Sequence, residues 1–82
     1  MQHVEVITKP DTVTVRGQLP EVEIKDIRIT ERSVILAGEH HGHQFVQELL
    51  LGTTVDNDNA VTLYANGYLT IIMPRGDQHA MV

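Results

Sequence analysis

The sequence predicts an all-β sandwich of about seven short antiparallel strands. Three observations carry this. Asn66-Gly67 is flanked on both sides by Val, Leu, Tyr, Ile and Thr, the strongest short-range sign of a β-hairpin. Short β-branched runs recur along the chain, separated by turn residues at regular intervals. No segment carries a helical pattern long enough for a stable helix.

The hairpin is the organising element. A two-residue type I′ turn needs positive φ at both central residues, which Asn and then Gly tolerate best. Leu69, Ile71 and Met73 alternate with Tyr68, Thr70 and Ile72, so the return strand has a core-facing side. Pro74 has no amide hydrogen and ends it.

Earlier elements follow the same logic. His3–Thr8 alternates weakly and reads as an edge strand, and Lys9-Pro10-Asp11 as a turn. Thr12–Arg16 is a strand with Val13 and Val15 on one face, and Gly17 marks its end or a bulge. Leu19–Asp26 reads as a connector, with Glu21–Asp26 able to form one short helical turn. Ile27–Thr30 is a strand, Glu31-Arg32-Ser33 a polar turn, and Val34–Ala37 a strand ending at Gly38. Glu39–Gln44 reads as a polar loop. Phe45–Leu51 fits both a period of two and a helical period; its length and neighbours favour a strand. Gly52–Asn59 is a connection with Val55 as a plug into the core. Arg75–Val82 has no pattern, so the domain is taken as residues 1–76 with a disordered tail over 77–82.

Size and composition limit the function. The chain has 82 residues, which make one domain. A chain this short buries only ~60% of its unfolded surface, so partner subunits would add stability. There is no cysteine, hence no disulfide and no thiolate metal site. No apolar run approaches the ~20 residues of a membrane span. Residues 1–5 lack the basic and apolar regions of a signal peptide, so the cytoplasm is expected. The net charge is −5 and the six basic residues are scattered, which argues against nucleic-acid binding.

Together the fragments resemble the α-crystallin domain of small heat-shock proteins, from about Val13 to Pro74. Leu19-Pro20-Glu21-Val22 with Lys25-Asp26-Ile27 is similar to the family's Leu-Pro-Gly-Val…Glu-Asp-Ile connector. Val34–Glu39 resembles its strand ending in Gly-Glu. Phe45–Leu51 followed by Val55–Asp58 resembles its Phe-x-Arg-x-Phe-x-Leu-Pro…Val-Asp-x-Asp run, and Ala65–Ile71 its closing Asn-Gly-Val-Leu-Thr signature. The resemblance implies an immunoglobulin-like sandwich.

Departures are plain. The connector glycine is Glu21, the proline before the Val-Asp run is Gly52, and the alanine before the closing turn is Thr62. The arginine of the Phe-x-Arg run is Gln47, so an ion pair made by that arginine across a subunit interface is not expected. Bacterial and plant members swap a long loop between subunits, where this sequence has only Glu39–Gln44. The family's long N-terminal arm and C-terminal Ile-x-Ile or Ile-x-Val tail have no counterpart, so a bare domain is expected.

Catalysis finds little support. Ser33 is the only serine, there is no Gly-x-Ser-x-Gly, and the glycines are too scattered for a phosphate loop. No cofactor is expected. His40, His41 and His43, with His3 or His79, are the one stretch with imidazole ligands; the plainer reading is a solvated loop, and no metal is expected. Asp56–Asn59 begins like a calcium loop but has Val61 where the sixth-position glycine belongs and Gly67 at the twelfth, so it reads as an Asx turn.

The apolar surface is the better lead. Val61 and Leu63 share one face, Ala60, Thr62 and Tyr64 the other, and both carry apolar area. The resemblance implies a groove between the strands at Ile27–Thr30 and Val61–Ala65 that takes up Ile/Val-rich tails or client segments. Ile27, Ile29, Val61 and Leu63 are therefore the candidate groove residues, and Val46 and Leu50 the candidates for a subunit edge. The expected function is that of an ATP-independent holdase for unfolded client proteins, with a possible homodimer through the Phe45–Leu51 edge. The alternative is a docking adaptor resembling CS domains, which share this fold with a short hairpin. A third reading is metal binding by the His40–His43 loop.

Overall fold

The structure is a computed structural model and describes residues 4–76. His3, His79 and the tail over 77–82 lie outside the described residues. Seven strands occur in chain order: β1 Val4–Thr8, β2 Thr12–Gln18, β3 Val22–Ile29, β4 Ser33–His40, β5 His43–Leu50, β6 Val61–Ala65 and β7 Tyr68–Pro74. One 3₁₀ turn, Asn57–Asn59, precedes β6, and no α-helix is present among the described residues. The strands form two antiparallel sheets, one ordered β1-β2-β7-β6 and the other β3-β4-β5.

Strand alternation builds the core. Val13 and Val15 of β2 lie opposite Met73 and Ile71 of β7, and all four are fully buried. Val34 and Leu36 of β4 meet them from the second sheet. The connections contribute Leu19, Leu51 and Val55, each nearly inaccessible. Val55, the predicted plug, is 2% exposed and bridges to Arg75. The turn at Asn66-Gly67 has the predicted conformation, with φ of 54° and 78°.

Two sequence readings change. The connector Leu19–Asp26 holds no helical turn: Val22 donates its N–H to the Leu19 carbonyl at 3.3 Å, and β3 starts at Val22. The register shifts between Ile24 and Asp26, so Lys25 is the extra residue of a bulge. That one residue breaks the period of two and hides the strand. The loop Glu39–Gln44 shrinks to a two-residue turn, because His40 pairs with His43. His41 and Gly42 have φ of 54° and 79°, a second turn with both central residues left-handed; His enters that region more readily than most residues. Of the two readings of Gly17, a strand end or a bulge, the structure has the first: Gly17 lies next to the last residue of β2 and pairs in register with Val4 and Leu69.

The first residue of β4, Ser33, is the single buried polar residue among those described. The Thr30 hydroxyl accepts the N–H groups of Arg32 and Ser33 at 3.1 and 3.0 Å and shares a 2.9 Å bond with the Ser33 hydroxyl. Its polar atoms are thus satisfied despite burial.

Candidate interaction surfaces

The two sheets leave β3 and β6 as edges on the same side of the sandwich, with β1 and β5 as the other edges. Side chains hold this side together: the Tyr64 hydroxyl of β6 donates to the Val22 carbonyl at 3.1 Å, and Asn57 Nδ2, in the 3₁₀ turn before β6, donates to the Ile29 carbonyl at 3.2 Å. β6 itself is exposed along its whole length. An exposed edge strand offers unpaired backbone groups to another chain.

Facing residues in an antiparallel ladder share a face, so the register decides where each candidate points. Thr62 lies opposite Ile71 and Tyr64 opposite Leu69, both buried, so Thr62 and Tyr64 face the opening between the sheets. Ile27 and Ile29 lie opposite Leu36 and Val34 and pack against the core from β3, half-buried. These four flank one opening. Val61 and Leu63 point the other way. Val61 pairs with Ile72 and Leu63 with Thr70, on the outer face of the four-stranded sheet. Ile27 and Ile29 therefore do not share a groove wall with Val61 and Leu63. The sequence puts apolar area on both faces of β6; which face meets the opening depends on pairing with β7.

On that outer face Val61 and Leu63 are 53% and 60% exposed, and Ile72 and Tyr68 join them. The alternation of β7 already set Ile72 and Tyr68 outward. Their proximity to Val61 and Leu63 is a product of the turn register. The margin of this sheet thus carries apolar side chains on its outer surface and an open backbone edge beside it.

Val46 and Leu50 stand on the outer face of the second sheet, each 75% exposed, on the edge strand β5. Gln47 lies on the inner side opposite Leu36 and is half-buried. Beside Val46 is a shallow depression of about 340 Å³ lined by Lys25, Ala37, Gly38, Gln44, Phe45 and Val46. Lys25 at its rim pairs with Glu39 at 3.0 Å; that hydrogen bond and charge hold the ammonium protonated to higher pH than usual.

The polar clusters also find their places. Asp56–Asn59 folds into the 3₁₀ turn, with Asn59 Nδ2 donating to Asp56 Oδ2 at 2.7 Å. Of the histidines, His40 and His41 lie with ring centroids 4.2 Å apart, and His41 Nε2 is 2.8 Å from Glu21 Oε1. His43 pairs across the ladder from His40 and is not part of that group. No sequence spacing joins Glu21 to the histidines, since it lies about twenty residues away in the chain and only the β3–β4 register brings them together.

The chain matches no protein-family model and no curated protein. In fold it is similar to heat shock protein 16.0 from Schizosaccharomyces pombe, with a TM-score of 0.72 and 19% sequence identity. The similarity covers 88% of this chain and 64% of that one, so this chain spans a little under two thirds of the other's length. No helix among the described residues is long and apolar enough to cross a membrane. The two sheets and their order, with this likeness, give the chain the α-crystallin type of fold found in a small heat shock protein.

Proposed function

We propose that the chain is an ATP-independent holdase module of the small heat-shock type. The observation that carries the reading is β6, an edge strand exposed throughout and flanked by Val61, Leu63, Ile72 and Tyr68. An unfolded segment adds to the open edge of β6 by main-chain hydrogen bonds. Its alternate side chains then lie over Val61 and Leu63 on one side and toward Ile27, Ile29 and Tyr64 on the other. Burying two aliphatic side chains contributes ~3–6 kcal/mol before ordering costs. Such binding is weak and depends little on sequence, which suits many clients. It keeps captured segments from pairing with one another and uses no cofactor, nucleotide or covalent chemistry. We place the activity in the cytoplasm, with unfolded proteins as partners and no nucleic acid or membrane.

Heating several unrelated aggregation-prone clients with the protein tests this. Light scattering is expected to fall for all of them at several-fold molar excess. Suppression of none contradicts the reading. The short His41-Gly42 turn supports a second reading, an adaptor of the CS type that docks on one defined protein. That reading predicts no general suppression and stoichiometric binding of a single partner.

The β5 edge supports self-association. Two copies pairing edge to edge at Phe45–Leu51 through a two-fold axis would cover Val46 and Leu50. Static light scattering is expected to give twice the chain mass, and Val46→Asp with Leu50→Asp to give the monomer. Both side chains are mostly solvated, so the double variant's monomer stability is expected to change by no more than about 0.5 kcal/mol per site. A monomer mass for the parent at all concentrations contradicts the dimer.

A further inference from the structure

We propose that Glu21, His40 and His41 form a three-ligand site for a zinc-class divalent transition-metal ion, where the β2–β3 connection meets the tip of the β4–β5 hairpin. One ligand atom from each of the three lies within 4.8 Å of the others. The nearest pair, His41 Nε2 and Glu21 Oε1, is 2.8 Å apart. Zinc holds nitrogen and oxygen at ~2.0–2.2 Å, which places neighbouring ligands of a tetrahedral set about 3.3 Å apart. Modest rotation of these side chains meets that spacing, since Glu21 and His41 are largely solvated.

The backbone supplies the arrangement. Val22 pairs with His40 in the β3–β4 ladder, so the preceding Glu21 falls beside the following His41. Glu21 and His41 both have left-handed backbones, with φ of 61° and 54°. The position of Glu21 suits glycine better than any residue with a side chain. What the side chain gains there is the contact with His41. Two imidazoles and one carboxylate form a donor set for zinc, copper or nickel, whereas magnesium and calcium take oxygen ligands. Three protein ligands leave the fourth position to water. Glu23 and Glu39 form the next-but-one pair along the ladder, and Lys25 offsets part of their charge through its 3.0 Å pair with Glu39.

Binding would clamp the connection between the two sheets to the hairpin tip. An ion held only by the folded chain raises the unfolding midpoint. Titration of zinc chloride by calorimetry is expected to show saturable binding of one ion per chain at micromolar concentration. The thermal midpoint is expected to rise with zinc, and excess magnesium is expected to leave both results unchanged. His41→Ala and Glu21→Gln should each weaken zinc binding by about tenfold or more, since the first removes a ligand and the second replaces an anionic oxygen with a neutral amide. Glu21→Gly deletes the carboxylate and suits the left-handed backbone, so it should fold as the parent does and lose the zinc-dependent rise. His43→Ala should leave zinc affinity unchanged. No heat at micromolar zinc overturns the proposal. So does a loss in His43→Ala with none in Glu21→Gln, which would assign the ion to the histidines of the hairpin alone.

Discussion

Gly38→Ala is expected to be the most damaging single-methyl change in the chain. Gly38 lies in β4, the middle strand of the three-stranded sheet, paired with Ile24 on one side and Phe45 on the other. A Cβ there would run into the Glu23 carbonyl oxygen and lie 3.0 Å from the Glu23 carbonyl carbon and 3.1 Å from Ile24 Cα. Every one of these atoms is backbone, so no side-chain rotation makes room. A one-residue slide of β3 gives no relief, because it would turn Val22, Ile24, Ile27 and Ile29 away from the core. Overpacking costs about 1–3 kcal/mol where side chains can yield, and more here. A domain of this size has about 4–12 kcal/mol in total. The denaturant midpoint of Gly38→Ala is expected to fall by at least a third of the parent's value, or the variant to be unfolded. A midpoint equal to the parent's would mean that β3 and β4 do not approach as described.

Leu36→Ala is expected to follow closely. Leu36 is fully buried on the same strand and faces the Val13, Val15, Ile71 and Met73 layer of the other sheet. Its ladder neighbours, Ile27 and Gln47, are held in register and cannot close the space left behind. Leu-to-Ala changes in such sites cost about 2–5 kcal/mol, through lost transfer energy and the cavity that remains. A loss of about 3 kcal/mol in chemical denaturation is expected, with the slope unchanged. A loss under about 1 kcal/mol would place Leu36 outside the core.

Much of the fold was legible because local chemistry and tertiary structure agree there. The Asn66-Gly67 turn and the alternation of β7 each fix a conformation that few other sequences of contacts would satisfy. Val13 and Val15 are read the same way. β3 was partly lost because its bulge places Lys25 out of step, and a period-of-two reading sees the strand only after the interruption. The His41-Gly42 turn is hidden in the sequence because the residues around it are polar and pairing by backbone leaves no mark in side-chain chemistry. The candidate surfaces were less legible. Apolar side chains on both faces of β6 announce an unusual strand, but only pairing with β7 sends Tyr64 inward and Leu63 outward. The Glu21 and His41 contact depends on a register between segments that sequence spacing does not join.

We propose capture of unfolded chains at the margin of β6. Its most direct test compares the parent with Val61→Asp plus Leu63→Asp in thermal aggregation of a model client, followed by light scattering. Both side chains project into solvent, so the variant is expected to keep the parent's unfolding midpoint. The parent should suppress scattering at several-fold molar excess and the variant should lose most of that suppression. Equal suppression by both proteins, or none by the parent, would contradict capture at this margin.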